Sequence, residues 1–108
     1  MDVAMLRQQL REDFECEADW RRQKAAEYPE DERNLRAAES YDQIAATIDF
    51  VPDELIIAYG ELFEDETEAE LFQELLKELF YAGGAAPSAT DFVQHFMSRV
   101  TLGVDPRR

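Results

Sequence analysis

Residues 65–83, DETEAELFQELLKELFYAG, decide the fold class. Leu71, Phe72, Leu75, Leu76, Leu79 and Phe80 recur at i, i+1, i+4, i+5, i+8 and i+9, which places six large apolar side chains on one helical face. Asp65 or Thr67 stands where a side-chain oxygen caps a first turn, and Gly83 stands where a helix ends. This is the strongest helix in the chain, and the remaining segments are read outward from it.

On its N-terminal side, Pro52-Asp53 restarts the chain, and Glu54 to Phe63 reads as a short helix with Leu55, Ile56, Tyr59, Leu62 and Phe63 inward and Gly60 a weak point. On its C-terminal side, Gly83 to Ser88 has the small residues of a loop. Ser88 or Thr90 then begins a last helix with Val93, Phe96, Met97 and Val100 inward and Phe92 flanking them, and the tail frays from Leu102.

The first half of the chain reads as two longer helices. Asp2 is an N-cap for a helix to Glu27 whose inward face is Val3, Leu6, Leu10, Phe14, Ala18, Ala25 and Tyr28, and Pro29 stops it. At 1.5 Å per residue this helix is roughly 39 Å long, more than the ~26 Å diameter of a compact domain of this size, so part of it should project or pack elsewhere. Met5, Cys16 and Trp20 form a second apolar line 120–140° around it and suggest a second neighbour. Glu30 to Phe50 predicts the next helix, with Glu30, Asp31 and Glu32 in its first turn, where the helix dipole favours anions. Its inward stripe is Leu35, Ala38, Tyr41, Ala45 and Ile48, and Ala37, Ala38, Ala45 and Ala46 permit close approach. The turn at Tyr28-Pro29 makes residues 2–50 an antiparallel hairpin, followed by a three-helix unit over 53–102 and a frayed tail over 103–108. The expectation is one all-α domain of about five helices.

Composition supports that class. Among 108 residues, 45% are hydrophobic, enough for a core, while four Gly and four Pro are too few for the turns of an all-β chain. With a single cysteine, Cys16, no internal disulfide is available, which fits a reducing cytoplasm. The stretch after Met1 has no apolar h-region, and the longest uncharged run, Leu79 to Thr90, contains Gly83, Gly84 and Pro87, so neither a secretory signal nor a membrane span is expected.

Charge is the most unusual property. The net formal charge is -14, of which residues 50–82 carry -9. Such a chain repels nucleic-acid phosphates, so no direct nucleic-acid binding is expected. Glu66, Glu70, Glu74 and Glu78 stack at spacings of four along the polar face of the helix quoted above. The three like-charge pairs cost about 0.6–1.5 kcal/mol before screening. Two readings fit: a solvated face tolerated because the six apolar residues dominate, or an anionic surface that steers a basic partner.

No motif for catalysis, cofactor or metal accompanies these carboxylates. Glu70 occupies the position of the glycine that a calcium-binding EF-hand loop needs after Asp65, and Phe92 precedes His95 where a di-iron Glu-x-x-His motif requires glutamate. His95 falls opposite the inward face of its helix and reads as a surface histidine. Cys16 is surrounded in sequence by Glu12, Asp13, Glu15, Glu17 and Asp19, which favour the neutral thiol. No enzyme activity, cofactor or metal is expected.

In Trp20-Arg21-Arg22-Gln23-Lys24 the three cations point in three directions, and Glu17 with Arg21, and Glu32 with Arg36, fall at the spacing of helix-surface ion pairs. Trp20, off the main stripe, suits an interface. Residues 20–34, WRRQKAAEYPEDERN, resemble a segment of short bacterial helical proteins to which no activity is attached. The resemblance implies a bacterial source and nothing about activity.

These readings converge on a cytoplasmic, non-enzymatic protein-protein interaction module. It is expected to self-associate, as a dimer, through Met5, Cys16 and Trp20, and to dock a basic protein through Glu66, Glu70, Glu74 and Glu78. The alternative is a nucleic-acid mimic, or an antitoxin or immunity-type inhibitor, covering the basic surface of a nucleic-acid-binding protein or effector. Carboxylates about 6 Å apart on one helix reproduce only part of a duplex's charge every ~1.7 Å.

Overall fold

A computed structural model describes residues 2–62, 66–82 and 87–103. Among the described residues, five α-helices, α1 (Val3–Glu27), α2 (Arg33–Ala46), α3 (Asp53–Leu62), α4 (Glu66–Ala82) and α5 (Ala89–Gly103), follow one another, with a 3-10 turn, Ile48–Phe50, between α2 and α3. The fold is all-α. Among the described residues there is no strand.

Asp2 caps α1 as expected, its Oδ1 accepting from the Ala4 amide at 2.9 Å. α1 packs along α2 in an antiparallel hairpin, where Ala18 on one helix and Ala37, Ala38 and Ala45 on the other are buried. α3 then packs against α1 and α5, and α4 against α2 and α5. Besides α2, α1 contacts the 3-10 turn and α3, so part of its length packs beyond the hairpin.

The core joins all five helices. Phe14 of α1 meets Phe72 of α4 at 5.4 Å and Phe92 of α5 at 4.9 Å between ring centroids, and Phe72 and Phe92 are 5.6 Å apart. Tilted and edge-on contacts of this kind add about 0.5–1.5 kcal/mol per pair to the burial itself. Phe92, read from sequence as flanking, is therefore central. Leu75, Leu76 and Phe80 complete the buried face of α4, with Leu71 and Leu79 half-buried beside it. Tyr41, fully buried, donates its hydroxyl proton to the Leu76 carbonyl at 2.7 Å and so ties α2 to α4.

α2 differs from its sequence boundaries at both ends. It begins at Arg33 because Asp31 accepts from the Arg33 amide at 3.1 Å and its own amide donates to Tyr28 at 3.0 Å, closing a turn over Pro29. Glu30, Asp31 and Glu32 thus precede the helix rather than fill its first turn. It ends at Ala46 because Thr47 diverts the chain: its hydroxyl donates to the Ile44 carbonyl at 3.0 Å and accepts from the Ala89 amide at 2.8 Å. Leu35, expected inside, is 55% exposed, since Asn34 takes the inward position and accepts from Arg21 at 3.3 Å. Ala46 faces solvent, and Tyr28, past the last turn of α1, leaves the inward face for solvent as well.

At α5, Ser88 supplies the cap, its Oγ accepting from the Asp91 amide at 3.1 Å, and the helix is assigned to Gly103. Thr67 and Thr90 lie inside their helices and are not caps. Asp65, Gly83, Phe63 and the tail beyond residue 103 lie outside the described residues.

Candidate functional site

The surface most unlike a generic helical protein is the outer face of α4. Glu70, Glu74 and Glu78 are exposed along it, as the four-residue spacing requires; the Glu66 side chain lies outside the described residues. Glu78 forms an ion pair with Arg99 of α5 at 3.0 Å. Glu70 and Glu74 have no ion-pair partner among the described residues, and with Ala69, Gln73 and Lys77 they line a shallow, open depression.

The negative surface continues onto α1. Gln73 donates to Glu17 at 3.0 Å across the α1–α4 seam, and Asp13, Cys16 and Glu17 line a second shallow depression with Ala69, Phe72 and Gln73. Burial raises the Asp13 carboxyl above its ordinary range, partly offset by a hydrogen bond from Gln9, with Glu12 and Glu17 raising it further. Cys16 is exposed in this acidic setting, as the sequence indicates.

Basic side chains are tied down elsewhere. Arg7 donates to the Ile48 and Val51 carbonyls at 2.8 and 2.6 Å and pairs with Asp53, anchoring the 3-10 turn to α1. Arg11 pairs with Asp49, Arg22 with Asp19 and Asp42, Lys24 with Glu27, and Arg33 with Asp31. The Arg33 guanidinium, by hydrogen bonding, holds the Asp31 carboxyl at about 2. The Glu17–Arg21 and Glu32–Arg36 pairs expected from spacing are not formed; Glu17 turns to Gln73, and Arg21 turns to the aromatic rings at the end of α4.

That end of the molecule is a feature the sequence reading missed. The Arg21 guanidinium lies 3.9 Å from the Phe80 ring centre and 4.7 Å from that of Trp20, Lys24 lies 5.5 Å from Trp20, and Arg33 lies 5.1 and 5.6 Å from Phe80 and Tyr81. Residues from α1, α2 and the last turn of α4 thus form one alternating series of cations and rings, each contact contributing about 0.5–1 kcal/mol at an exposed site. The cations of the Trp20–Lys24 segment do diverge, but Arg21 is joined by Arg33, a residue remote in sequence. No local pattern could have paired them.

The three candidates for self-association lie along one exposed line of α1, Cys16 and Trp20 one turn apart and Met5 nearer the start of the helix. Met5 is 70% exposed, Trp20 is 45% exposed, and Cys16 lies in the groove described above. α2 runs along α1 and α3 packs against it, but neither covers this second apolar line.

His95 is exposed at the edge of an apolar cleft between α4 and α5 lined by Leu75, Leu79, Pro87 and Phe92, with Glu78 and Asp91 beside it. Among the described residues no three His, Cys, Asp or Glu side chains converge as a metal site would require, and no helix is long and apolar enough to cross a membrane. No protein-family model matches the chain, and comparison with curated proteins and with solved structures finds no match.

Proposed function

We propose that the protein is a cytoplasmic, non-enzymatic interaction module that docks a basic protein partner through the acidic face of α4 and that self-associates. One observation carries the docking: Glu70 and Glu74 stand exposed without a paired cation, whereas Arg7, Arg11, Arg22, Lys24, Arg33 and Arg99 are held in ion pairs. The first half of that face therefore carries unpaired negative charge, relieved on α4 only from its far side by Lys77, and Asp13 and Glu17 extend it across the seam. Such a field raises the association rate of a cationic partner and loses its effect as salt rises.

The test is capture of partners from nuclease-treated host lysate on the immobilised protein at low salt, followed by a salt step. The expected result is a basic protein that elutes with salt and is lost when Glu70→Gln and Glu74→Gln are combined. Recovery of the same proteins by the double variant would reduce the acidic face to a solvated surface.

A further inference from the structure

Glu70, Glu74, Lys77 and Tyr81 form one exposed stripe of α4. Their spacings of four, three and four residues keep them within about 60° of one another at 100° per residue. Followed along the helix, the stripe begins with the two carboxylates that have no ion-pair partner and ends with Lys77 and with Tyr81, whose ring has the Arg33 guanidinium 5.6 Å away. Phe80 carries the aromatic and cationic end onward to Arg21, and through it to Trp20 on α1. The stripe is thus negative over its first half, while its second half carries Lys77 and the Tyr81 ring, flanked by Arg33 in its pair with Asp31 and by Glu78 in its pair with Arg99.

That arrangement is complementary to its own reverse. A twofold axis crossing the stripe midway between Glu74 and Lys77 sets Glu74 opposite Lys77 of a second copy and Glu70 opposite Tyr81 and Arg33 of that copy, with both sets of contacts made twice. We propose that α4 pairs antiparallel with α4 of a second copy across this stripe, closing an isologous dimer. Charge complementarity selects this occupant. A purely basic partner satisfies Glu70 and Glu74 but leaves the Lys77–Tyr81 end unused, whereas a second copy satisfies both ends, and on a chain of net charge -14 such a contact sets opposite rather than like charges together.

This inference rests on the self-association part of the function proposed above and moves the contact from Met5 and Cys16 to α4, with Trp20 at its edge. It carries a consequence for that function. The dimer covers Glu70 and Glu74, so self-association and docking of a basic partner compete for the same carboxylates.

The test is sedimentation velocity on the full chain from about 1 to 200 μM in 50 and 500 mM NaCl, with two charge-swapped variants, Glu70→Lys/Glu74→Lys and Arg33→Glu/Lys77→Glu. The wild type is expected to dimerise at the lower salt and to weaken at least about tenfold at the higher. Each swapped variant alone should be monomeric, because like charges then face each other, and their equimolar mixture should recover the dimer. Two swapped variants that dimerise like the wild type would overturn the α4 pairing while leaving self-association through another face. Two monomeric variants whose mixture stays monomeric would overturn the antiparallel register. A wild type that is monomeric at every concentration would overturn the pairing and the self-association together, without touching the docking tested by capture. Circular dichroism checks that the variants remain helical; Glu74→Gln and Tyr81→Ser repeat the readout if a swap does not, each expected to weaken the dimer at least about threefold and each refuting the pairing if it has no effect.

Discussion

Glu70→Gln should stabilise the protein while weakening its docking. Glu70 stands four residues after Glu66 and four before Glu74 on α4, and the residues three before and three after it, Thr67 and Gln73, carry no cation. Removing its charge therefore relieves two like-charge pairs at about 0.2–0.5 kcal/mol each, a gain of about 0.4–1.0 kcal/mol at low salt. Gln and Glu have nearly equal helix propensity, so the substitution isolates the charge. For a chain of this size the gain corresponds to a rise in Tm of about 2–8 °C. Thermal melts followed by circular dichroism in 20 mM and 1 M NaCl, at a protein concentration where sedimentation shows the monomer, provide the assay, because a Debye length of about 3 Å at 1 M removes the repulsion and with it the difference between variant and wild type. A variant that melts below the wild type at low salt would refute the reasoning, since Glu70 would then be making a stabilising contact. The wild-type carboxylate would have a structural role, and the case for an uncompensated docking face would fall.

Other expectations follow from contacts inside the fold. Tyr41→Phe removes the buried hydroxyl that bridges α2 to the Leu76 carbonyl and should cost about 0.5–1.5 kcal/mol in urea denaturation. Arg7→Met removes a guanidinium bound to two carbonyls and Asp53; it should cost about 1.5–3 kcal/mol, with amide exchange accelerating first around residues 48–53. Two carboxyls give opposite pH signatures. Asp31, held at about 2 against an ordinary value of 3.8, supports the fold above pH 3.8 and loses that support as pH falls toward 2, so Asp31→Asn should flatten the acid limb of the stability profile there. Asp13, raised by burial, is favourable while protonated and loses that contribution as pH rises through its folded value, so Asp13→Asn should gain stability relative to the wild type between pH 3 and 7 in denaturation series.

The α-helices were legible because their apolar periodicity is local. The six-residue stripe of α4, the Asp2 cap and the Ser88 cap are each settled by side chains within a few positions, and each stands where the sequence puts it, save that Leu71 and Leu79 are only half-buried. Three of the differences trace to a polar group bonded to a residue on another element. Leu35 is apolar and in period, yet Asn34 occupies the inward position by virtue of Arg21 on the neighbouring helix. Thr47 ends α2 through a bond to Ala89, far along the chain. Arg21 abandons Glu17 for the rings of Phe80 and Trp20, a choice that depends on where α4 lands. The carboxylates of the candidate surface were visible from spacing, but the cationic and aromatic end that makes their stripe self-complementary was not, since Arg33 reaches it only through the hairpin.

The acidity of the chain and its fold are consequences of one distribution of charge. Each paired arginine bridges elements or holds a turn: Arg7 and Arg11 fasten the segment after α2 to α1, Arg22 links α1 to α2, Arg33 closes the turn before α2, and Arg99 joins α5 to α4. Exposed ion pairs contribute little individually, about 0–1 kcal/mol, but these cations take their partners from among the carboxylates of their own neighbourhoods and leave the first half of α4 without any. Carboxylates outside these ion pairs are spread over all five helices, Glu12 and Glu15 on α1, Glu39 on α2, Glu54 and Glu61 on α3 and Asp91 on α5 among them, and α4 differs in setting Glu70 and Glu74 in line on a helix whose six-residue apolar face can tolerate the repulsion. That alignment, with a cation and a tyrosine at its far end, is the feature on which the proposed docking and the proposed α4 pairing rest, and partner capture and sedimentation decide between them and a solvated face.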